Sequence, residues 1–322
     1  MKRVLKGVGF VILGIVILIV FIVVVLLIKN YIDSQKPWLE KEYYTQFQSD
    51  SEFEKKYAGL GTFDVSFVKF KSEDSVTKEY HIWYPTELEN KNNEYPLILV
   101  TNASNTAASN YEPFFKRLAS WGFIVVGNED RQTGTGLSTS KTLDDVLALN
   151  SNPGSIFYTK ISQDNIGVIG YSQGGAGAIN AVTAFENSNR YKTIFTGSAA
   201  YSLLSRNMGW EYDVSKVTIP YFMLAGTGKS DDSGQNPETS FGGVAPLSSL
   251  IENYNAIPNG VFKLRARSKG AEHGDIFARA DGYMTAWMLY QLQGDDDAGK
   301  VFIGENAEIL NNPNWQDVEK SR

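Results

Sequence analysis

The residues most able to do chemistry in this sequence surround a serine. Residues Gly170–Gly174 read Gly-Tyr-Ser-Gln-Gly, a Gly-x-Ser-x-Gly motif with Ser172 at its centre. The apolar run IGVI precedes the motif and a glycine- and alanine-rich run follows it, as expected where a strand turns into a helix. Such a tight turn exposes the serine hydroxyl, so the pattern predicts Ser172 as a nucleophile. The alternative is an ordinary glycine turn, since the chain contains 29 glycines.

A nucleophilic serine needs a base, and the chain contains two histidines. His81 lies in an early predicted strand, before the serine, where a structural or surface role is the simpler interpretation. His273 lies in the segment GAEHGD, just after the last predicted strand. That position matches the chain order serine, acid, histidine of strand-turn-helix serine hydrolases. We therefore predict His273 as the general base.

The acid that orients the imidazole should follow the penultimate predicted strand, IPYFMLAGT. The chain continues there as GKSDDSG, which offers Asp231 and Asp232. Other carboxylates between Ser172 and His273 fall at predicted helix ends or in loops, where solvated surface charge explains them. We choose Asp231 as the acid and keep Asp232 as the alternative.

The developing oxyanion needs two N–H donors. The first is the backbone N–H of Gln173, the residue after the nucleophile, at the start of the predicted helix. The second should come from the loop after the third strand, where residues 102–105 form the small polar run Asn-Ala-Ser-Asn.

The elements that must position these residues alternate along the chain. Short apolar or β-branched runs predict eight strands: VSFVKF, YHIWYP, YPLILVT, FIVVGNED, IGVIGYS, KTIFTGSA, IPYFMLAGT and VFKLRARS. Helical patterns between or after them cover residues 111–121, 143–149, 175–185, 247–254 and 283–292. Such alternation implies crossover connections, so we expect an α/β fold with a mainly parallel eight-stranded sheet and helices on both faces.

An apolar segment precedes this domain. Gly7–Ile28 contains 22 residues without a charge, and a helix of that length spans about 33 Å, enough to cross a bilayer core. The segment predicts one transmembrane helix; a cleaved signal peptide is the alternative, but no Ala-x-Ala-like site follows. The cations Lys2, Arg3 and Lys6 precede the segment, which favours a single-pass protein of the cell membrane with a cytoplasmic N-terminus and an extracellular catalytic domain.

The predicted organisation has three parts. Residues 1–29 form the membrane anchor, residues 30–58 a polar stalk or helical lead-in, and residues 59–322 the catalytic domain. The chain outside the anchor carries 26 basic residues (30 less the four in residues 1–29) against 36 acidic ones, a net charge of −10. This balance makes nucleic acid an unsuitable partner.

Composition excludes several chemistries. The absence of cysteine removes disulfides, thiolate metal sites and a cysteine nucleophile. The compact run Asp295–Asp297 lacks the alternating ligand spacing of a calcium loop, so we expect no metal site and no cofactor.

The motifs together resemble the α/β-hydrolase superfamily, in particular its dienelactone-hydrolase-like and cutinase or polyester-hydrolase-like branch. The resemblance covers roughly residues 60–305, through IGVIGYSQGG, AGTGKSDD, GAEHGD and the helices before and after them. It implies a triad of Ser172, His273 and Asp231, with the backbone N–H groups of Ser104 and Gln173 as oxyanion donors. Ala103-Ser104 stands where cutinase-like enzymes usually carry Gly-Tyr or Gly-Phe, so no aromatic substrate clamp is expected at that site.

The expected activity is hydrolysis of a small-molecule or lipid carboxylic ester through an acyl-enzyme, a carboxylesterase-like reaction. Because one triad serves several reactions, a peptidase or an acyltransferase is an alternative. A non-catalytic surface binding module on the same fold is the alternative from another class.

Overall fold

The computed structural model describes residues 2–35, 37–47 and 49–322, and the chain divides into two compact units after Trp38. The first unit contains one helix, α1 (Lys2–Gln35), which includes the predicted apolar segment. Within α1 the stretch Ile12–Lys29 has a mean hydropathy of 3.4, and its side chains are not buried by protein. Among the described residues this is the one helix long and apolar enough to cross a membrane.

The second unit, Leu39–Arg322, contains a single mixed sheet. Its strands are β1 (Val65–Lys71), β2 (Glu79–Pro85), β3 (Tyr95–Thr101), β4 (Ile124–Asn128), β5 (Ile161–Tyr171), β6 (Thr193–Gly197), β7 (Tyr221–Gly226), β8 (Lys263–Ser268) and β9 (Trp315–Lys320). The first eight coincide with the predicted strands. Within the part of the chain that the structure describes, β9 corrects the predicted count of eight strands to nine.

Strand order in the sheet is β1-β2-β4-β3-β5-β6-β7-β8-β9. Strands β3 to β8 run parallel to their neighbours, whereas β2 is antiparallel to β1 and β4, and β9 is antiparallel to β8. The expected mainly parallel sheet with an antiparallel lead-in is therefore confirmed.

Helices cover both faces of this sheet. They are α2 (Glu52–Ala58), α3 (Glu112–Ala119), α4 (Leu137–Ser151), α5 (Gln173–Thr183), α6 (Ser202–Asn207), α7 (Leu247–Ala256), α8 (Ile276–Met288) and α9 (Asp296–Gly299), with a π-helical turn at Leu289–Gln293. Helix α8 begins seven residues before the predicted start at residue 283. The sequence pattern is interrupted there by Asp281 and Gly282, which are both buried in the helix.

Alternation along β5 shows how the core divides into two layers. Ile166 and Val168 pack into one cluster, with Leu143 of α4 and Ile179 of α5. Ile169 and Tyr171 point to the other cluster, with the helices α3 and α8. Because successive side chains of a strand point to opposite faces, the apolar run of residues 166–171 in β5 is what a sheet buried on both sides requires.

Residues 39–58 belong to the compact unit. Tyr43 and Tyr57 are fully buried, and the Arg117 Nε donates to Tyr43 Oη at 3.1 Å. Gly282 of α8 allows the close approach of α2, since a Cβ there would lie 2.6 Å from the carbonyl oxygen of Glu54. Helix α2 lies in the segment predicted to be a stalk or helical lead-in, and the compact unit begins at Leu39.

The unpredicted strand β9 is a polar edge strand. Its sequence, WQDVEK, lacks the apolar alternation that predicts strands. Tertiary ion pairs hold it instead: Arg265 Nη2 lies 2.5 Å from Glu319 Oε2, and Arg267 Nη2 lies 2.8 Å from Asp317 Oδ2. These partners are about fifty residues apart in the chain, so local pattern could not reveal them.

Candidate active site

The candidate site lies where parallel strands end. Ser104, Ser172, Asp231 and His273 all follow the carboxyl ends of strands, namely β3, β5, β7 and β8 in that order. In open α/β sheets these ends meet at one edge, which is where ligands bind. The topology therefore gathers at one edge residues that are up to 169 positions apart (273 less 104) in the sequence.

Ser172 occupies a strained turn between β5 and α5. Its backbone has φ 56° and ψ −123°, a conformation that residues other than glycine rarely adopt. Two hydrogen bonds hold the turn: Ser172 N–H donates to Gly197 O at 3.0 Å, and Ala200 N–H donates to Ser172 O at 3.2 Å. This strained strand-to-helix turn is the geometry of a nucleophile elbow.

The two motif glycines are required by close backbone contacts. A Cβ at Gly170 would lie 2.0 Å from Gly174 O, and a Cβ at Gly174 would lie 2.2 Å from Thr101 O, at the end of β3. Neither contact leaves room for a side chain, because the obstacle in each case is backbone. The glycines thus let the start of α5 press against the end of β3, beside the loop of residues 102–105.

His273 and Asp231 are in direct contact. His273 Nδ1 lies 2.6 Å from Asp231 Oδ1, and the side chains are 28% and 0% exposed. Asp231 Oδ2 accepts from Gly226 N–H at 2.7 Å and from the Ser198 hydroxyl. The carboxylate is therefore buried but fully hydrogen-bonded, as a buried charge must be. The His273 side chain stays partly accessible.

Asp232 lies in a different environment. Its Oδ2 accepts from Arg267 Nη1 at 2.6 Å and from the Leu247 N–H at 3.3 Å. The two carboxylates point in different directions: that of Asp231 reaches the histidine, and that of Asp232 reaches Arg267 of β8. The structure brings Asp231, not the alternative Asp232, to His273.

Packing also joins the nucleophile elbow to the histidine loop. Tyr171, directly before Ser172, stacks on Phe277 of α8 with ring centroids 3.8 Å apart. A Cβ at Gly197 would lie 3.1 Å from Ile276 Cγ2, at the start of the same helix. Since α8 begins three residues after His273, these contacts bring the histidine loop and the elbow together.

The two predicted oxyanion donors lie on neighbouring elements. Gln173 is the first residue of α5, and N–H groups in the first turn of a helix have no partner within the helix. Ser104 is exposed and precedes Asn105, which has a positive φ of 59°. The loop of residues 102–105 is held by hydrogen bonds to the segment after β4. Asn105 N–H donates to Arg131 O at 3.2 Å, and the buried Asn102 Nδ2 donates to Asp130 O at 2.6 Å.

Two contacts at this edge were not predicted from the sequence. Ser198 donates its hydroxyl to Asp231, and Gln132 Oε1 accepts from Gln173 Nε2 at 3.1 Å. Ser198 follows β6 and Gln132 follows β4, and both strands are parallel strands of the sheet. Their positions at strand ends could therefore have identified them as candidate site residues. Their residue types alone gave no indication, since serine and glutamine are common in loops.

His81 lies away from this site. It is 1% exposed on β2, and its Nε2 lies 3.5 Å from Glu79 Oε2 and 3.4 Å from Glu129 Oε1. Burial lowers its pKa, with Glu129 opposing. Among the described residues no group of three or more His, Cys, Asp or Glu side chains is placed to hold a metal ion.

Comparison with known proteins identifies a family for this chain. The family model PETase, described as PET hydrolase-like, matches residues 50–241, about three fifths of the 322-residue chain. The matched range contains Ser172 and Asp231 and ends before His273. No curated protein matches the sequence. With an α/β sheet of the hydrolase type and a family match over more than half of its length, the chain belongs to the PETase-like family of α/β-hydrolases.

Proposed function

We propose that this protein is a serine esterase that hydrolyses carboxylic esters through an acyl-enzyme, with Ser172, His273 and Asp231 as its catalytic triad. The observation that carries the proposal is the combination of Ser172 on a strained elbow with a His273 Nδ1 to Asp231 Oδ1 contact of 2.6 Å at the same sheet edge. Membership of a hydrolase family supports the reaction type.

The mechanism follows from the protons at His273. With Nδ1–H donated to Asp231, the lone pair of Nε2 is free to accept the Ser172 proton as Oγ attacks the ester carbonyl. The resulting imidazolium is stabilised by the buried carboxylate. His273 then gives the proton to the leaving alcohol, which leaves an acyl-serine, and water activated by the same nitrogen releases the acid.

The negative charge of each tetrahedral intermediate needs donors. In our proposal the backbone N–H groups of Gln173 and Ser104 bind that oxygen, aided by the partial positive charge at the start of α5. The close contact of Gly174 with Thr101 supports this assignment, because it brings the start of α5 next to the β3 loop.

The proposed substrate class is a small-molecule or lipid carboxylic ester. We do not extend the proposal to polyesters, although the family description refers to one. Ala103-Ser104 offers no aromatic ring at the oxyanion loop to stack on a terephthalate-like unit. Assays with esters of different acyl-chain length and with peptides separate the two candidate activities. An esterase would hydrolyse the esters, whereas a peptidase would also hydrolyse the amides.

We further propose that α1 is a retained single-pass anchor with the catalytic unit on the outer face of the cell membrane. The length and hydropathy of α1 and the cations before it support this topology. Protease added to intact cells should remove the catalytic unit from the cell surface. Protection on intact cells combined with cleavage after lysis would reverse the orientation, and a mature N-terminus beyond residue 29 would indicate a signal peptide.

The decisive test of the function uses the full chain in detergent. The wild-type protein should hydrolyse short p-nitrophenyl esters and react with a fluorophosphonate, and Ser172→Ala should lose both activities while it stays folded. Ser138→Ala is the control, because Ser138 is a buried serine of α4 whose hydroxyl has no hydrogen-bond partner among the described residues. A folded wild-type protein that neither labels nor turns over esters would favour the non-catalytic binding module.

A further inference from the structure

The buried oxygen Oδ2 of Asp231 has two donors, and one of them is a side chain. Gly226 N–H donates to it at 2.7 Å from the end of β7, and the Ser198 hydroxyl donates to it from the end of β6. The other oxygen, Oδ1, faces His273. With Asp231 fully buried, water cannot readily replace either donor.

Ser198 holds an unusual backbone conformation at this point. Its φ is +46°, a value that glycine adopts without strain and serine does not, and the residue is 1% exposed. Its N–H donates to Leu224 O at 2.7 Å, which fixes the strained residue between β6 and β7. A serine at this φ costs stability, and the contact that its side chain makes is the one to Asp231.

The same segment holds the nucleophile. Gly197, directly before Ser198, accepts the N–H of Ser172 at 3.0 Å. Two residues after Ser198, the Ala200 N–H donates to the Ser172 carbonyl at 3.2 Å. One short turn therefore contacts the backbone of the nucleophile and the carboxylate of the acid.

We propose that Ser198 is a positioning residue of the catalytic site, an inference that rests on the proposed serine-esterase function. Its hydroxyl fixes the rotation of the Asp231 carboxylate about the Cβ–Cγ bond, so that Oδ1 stays directed at His273 Nδ1. Without the hydroxyl, Oδ2 keeps the Gly226 N–H alone, and the carboxylate plane is free to turn.

A double-mutant cycle on the full chain in detergent tests this role. Ser198→Ala should lower kcat about 10- to 100-fold, the range for losing one hydrogen bond to a charged group, with KM within about twofold. In an Asp231→Ala background, the same change should lower neither kcat nor the rate of fluorophosphonate labelling further, because the hydroxyl then has no carboxylate to orient. An equal loss in both backgrounds would overturn the inference.

Ser198→Gly separates function from strain. Glycine accepts a φ of +46°, so this variant should have a higher melting temperature than Ser198→Ala, yet it should lose as much kcat. Ser205→Ala is the matched control, since it removes another buried serine hydroxyl, one that donates to the Ala200 carbonyl at 2.9 Å, and it should leave kcat unchanged. If activity follows melting temperature across all three variants, Ser198 has only a structural role.

The activity of the wild-type protein separates the proposed esterase function from the proposed role of Ser198. Absence of ester turnover and labelling in the folded wild-type protein would refute the proposed function and this inference with it. Normal wild-type turnover with an unchanged kcat in Ser198→Ala and Ser198→Gly would refute the positioning role alone.

Discussion

The exchange of Asp231 for asparagine gives the sharpest test of the proposed triad, with Asp232→Asn as its neighbour control. At residue 231, two donors, the Ser198 hydroxyl and the Gly226 N–H, point at the same carboxylate oxygen. An asparagine there will place its carbonyl oxygen against those two donors. Its NH₂ group then faces His273 Nδ1, which must become an acceptor.

This reversal puts the histidine proton on the wrong nitrogen. With Nδ1 accepting, the neutral imidazole carries its proton on Nε2, which can no longer take the proton of Ser172. In serine hydrolases this tautomer error costs about 10⁴-fold in kcat, and we expect a loss of about 10³- to 10⁴-fold here, or about 4 to 5.5 kcal/mol of transition-state stabilisation. KM should change little, because the residue is fully buried behind His273.

The control removes a carboxylate without touching the histidine. Asp232→Asn weakens the contact with Arg267, which keeps Asp317 as a partner at 2.8 Å. We expect a loss of about 1 to 2 kcal/mol in unfolding free energy and a kcat within about twofold of the wild type.

Steady-state hydrolysis of a p-nitrophenyl ester at pH 8, with urea unfolding of each variant, measures both quantities. A kcat within tenfold of the wild type for Asp231→Asn would refute the tautomer argument. If Asp232→Asn were the inactive variant, the acid would have to be reassigned to residue 232.

Three further predictions concern the scaffold. Burial lowers the pKa of His81 in the folded protein. As pH falls below about 6.5, the unfolded chain therefore takes up a proton before the folded protein does, and the unfolding free energy should fall. His81→Gln should weaken this pH dependence in urea titrations. Gly174→Ala should abolish turnover or stable folding, because the new Cβ would lie 2.2 Å from Thr101 O; normal activity and melting temperature would contradict the contact. Asp281→Asn removes the carboxylate that lies 2.7 Å from the fully buried Arg117. This change should lower the unfolding free energy, measured with urea, by about 3 to 5 kcal/mol. A loss below about 1 kcal/mol would show that the ion pair is dispensable.

Local sequence pattern predicted the sheet well because its central strands are buried on both faces. Residues 166–171 of β5 and all of β7 must then be continuous apolar runs, and such runs are visible in the sequence. The edge strand β9 has no such requirement. Its pairing with β8 depends on ion pairs to Arg265 and Arg267, which no local pattern contains.

The same distinction applies to helix ends. The sequence prediction started the last long helix at residue 283, whereas α8 starts at Ile276. A buried Asp281 breaks the apolar periodicity, and its ion pair with Arg117, 164 residues earlier in the chain, explains its presence in the core. The polar segment after α1 was predicted to be a stalk or helical lead-in because it lacks an uninterrupted apolar face. The contacts of Tyr43 and Tyr57 with Arg117 lie too far away in sequence for a local pattern to show.

By itself the sequence determined the residues whose roles depend on a few neighbours in the chain. The nucleophile motif around Ser172 is one, because its glycines are set by a turn of five residues, and the chain order of strands then singled out His273. The tertiary structure placed Asp231, which the sequence favoured over Asp232, against His273, and it revealed the contact of Ser198 with that carboxylate. These contacts depend on which atoms meet across 33 to 42 residues of chain, and a hydrogen bond of that range leaves no periodic trace in the sequence.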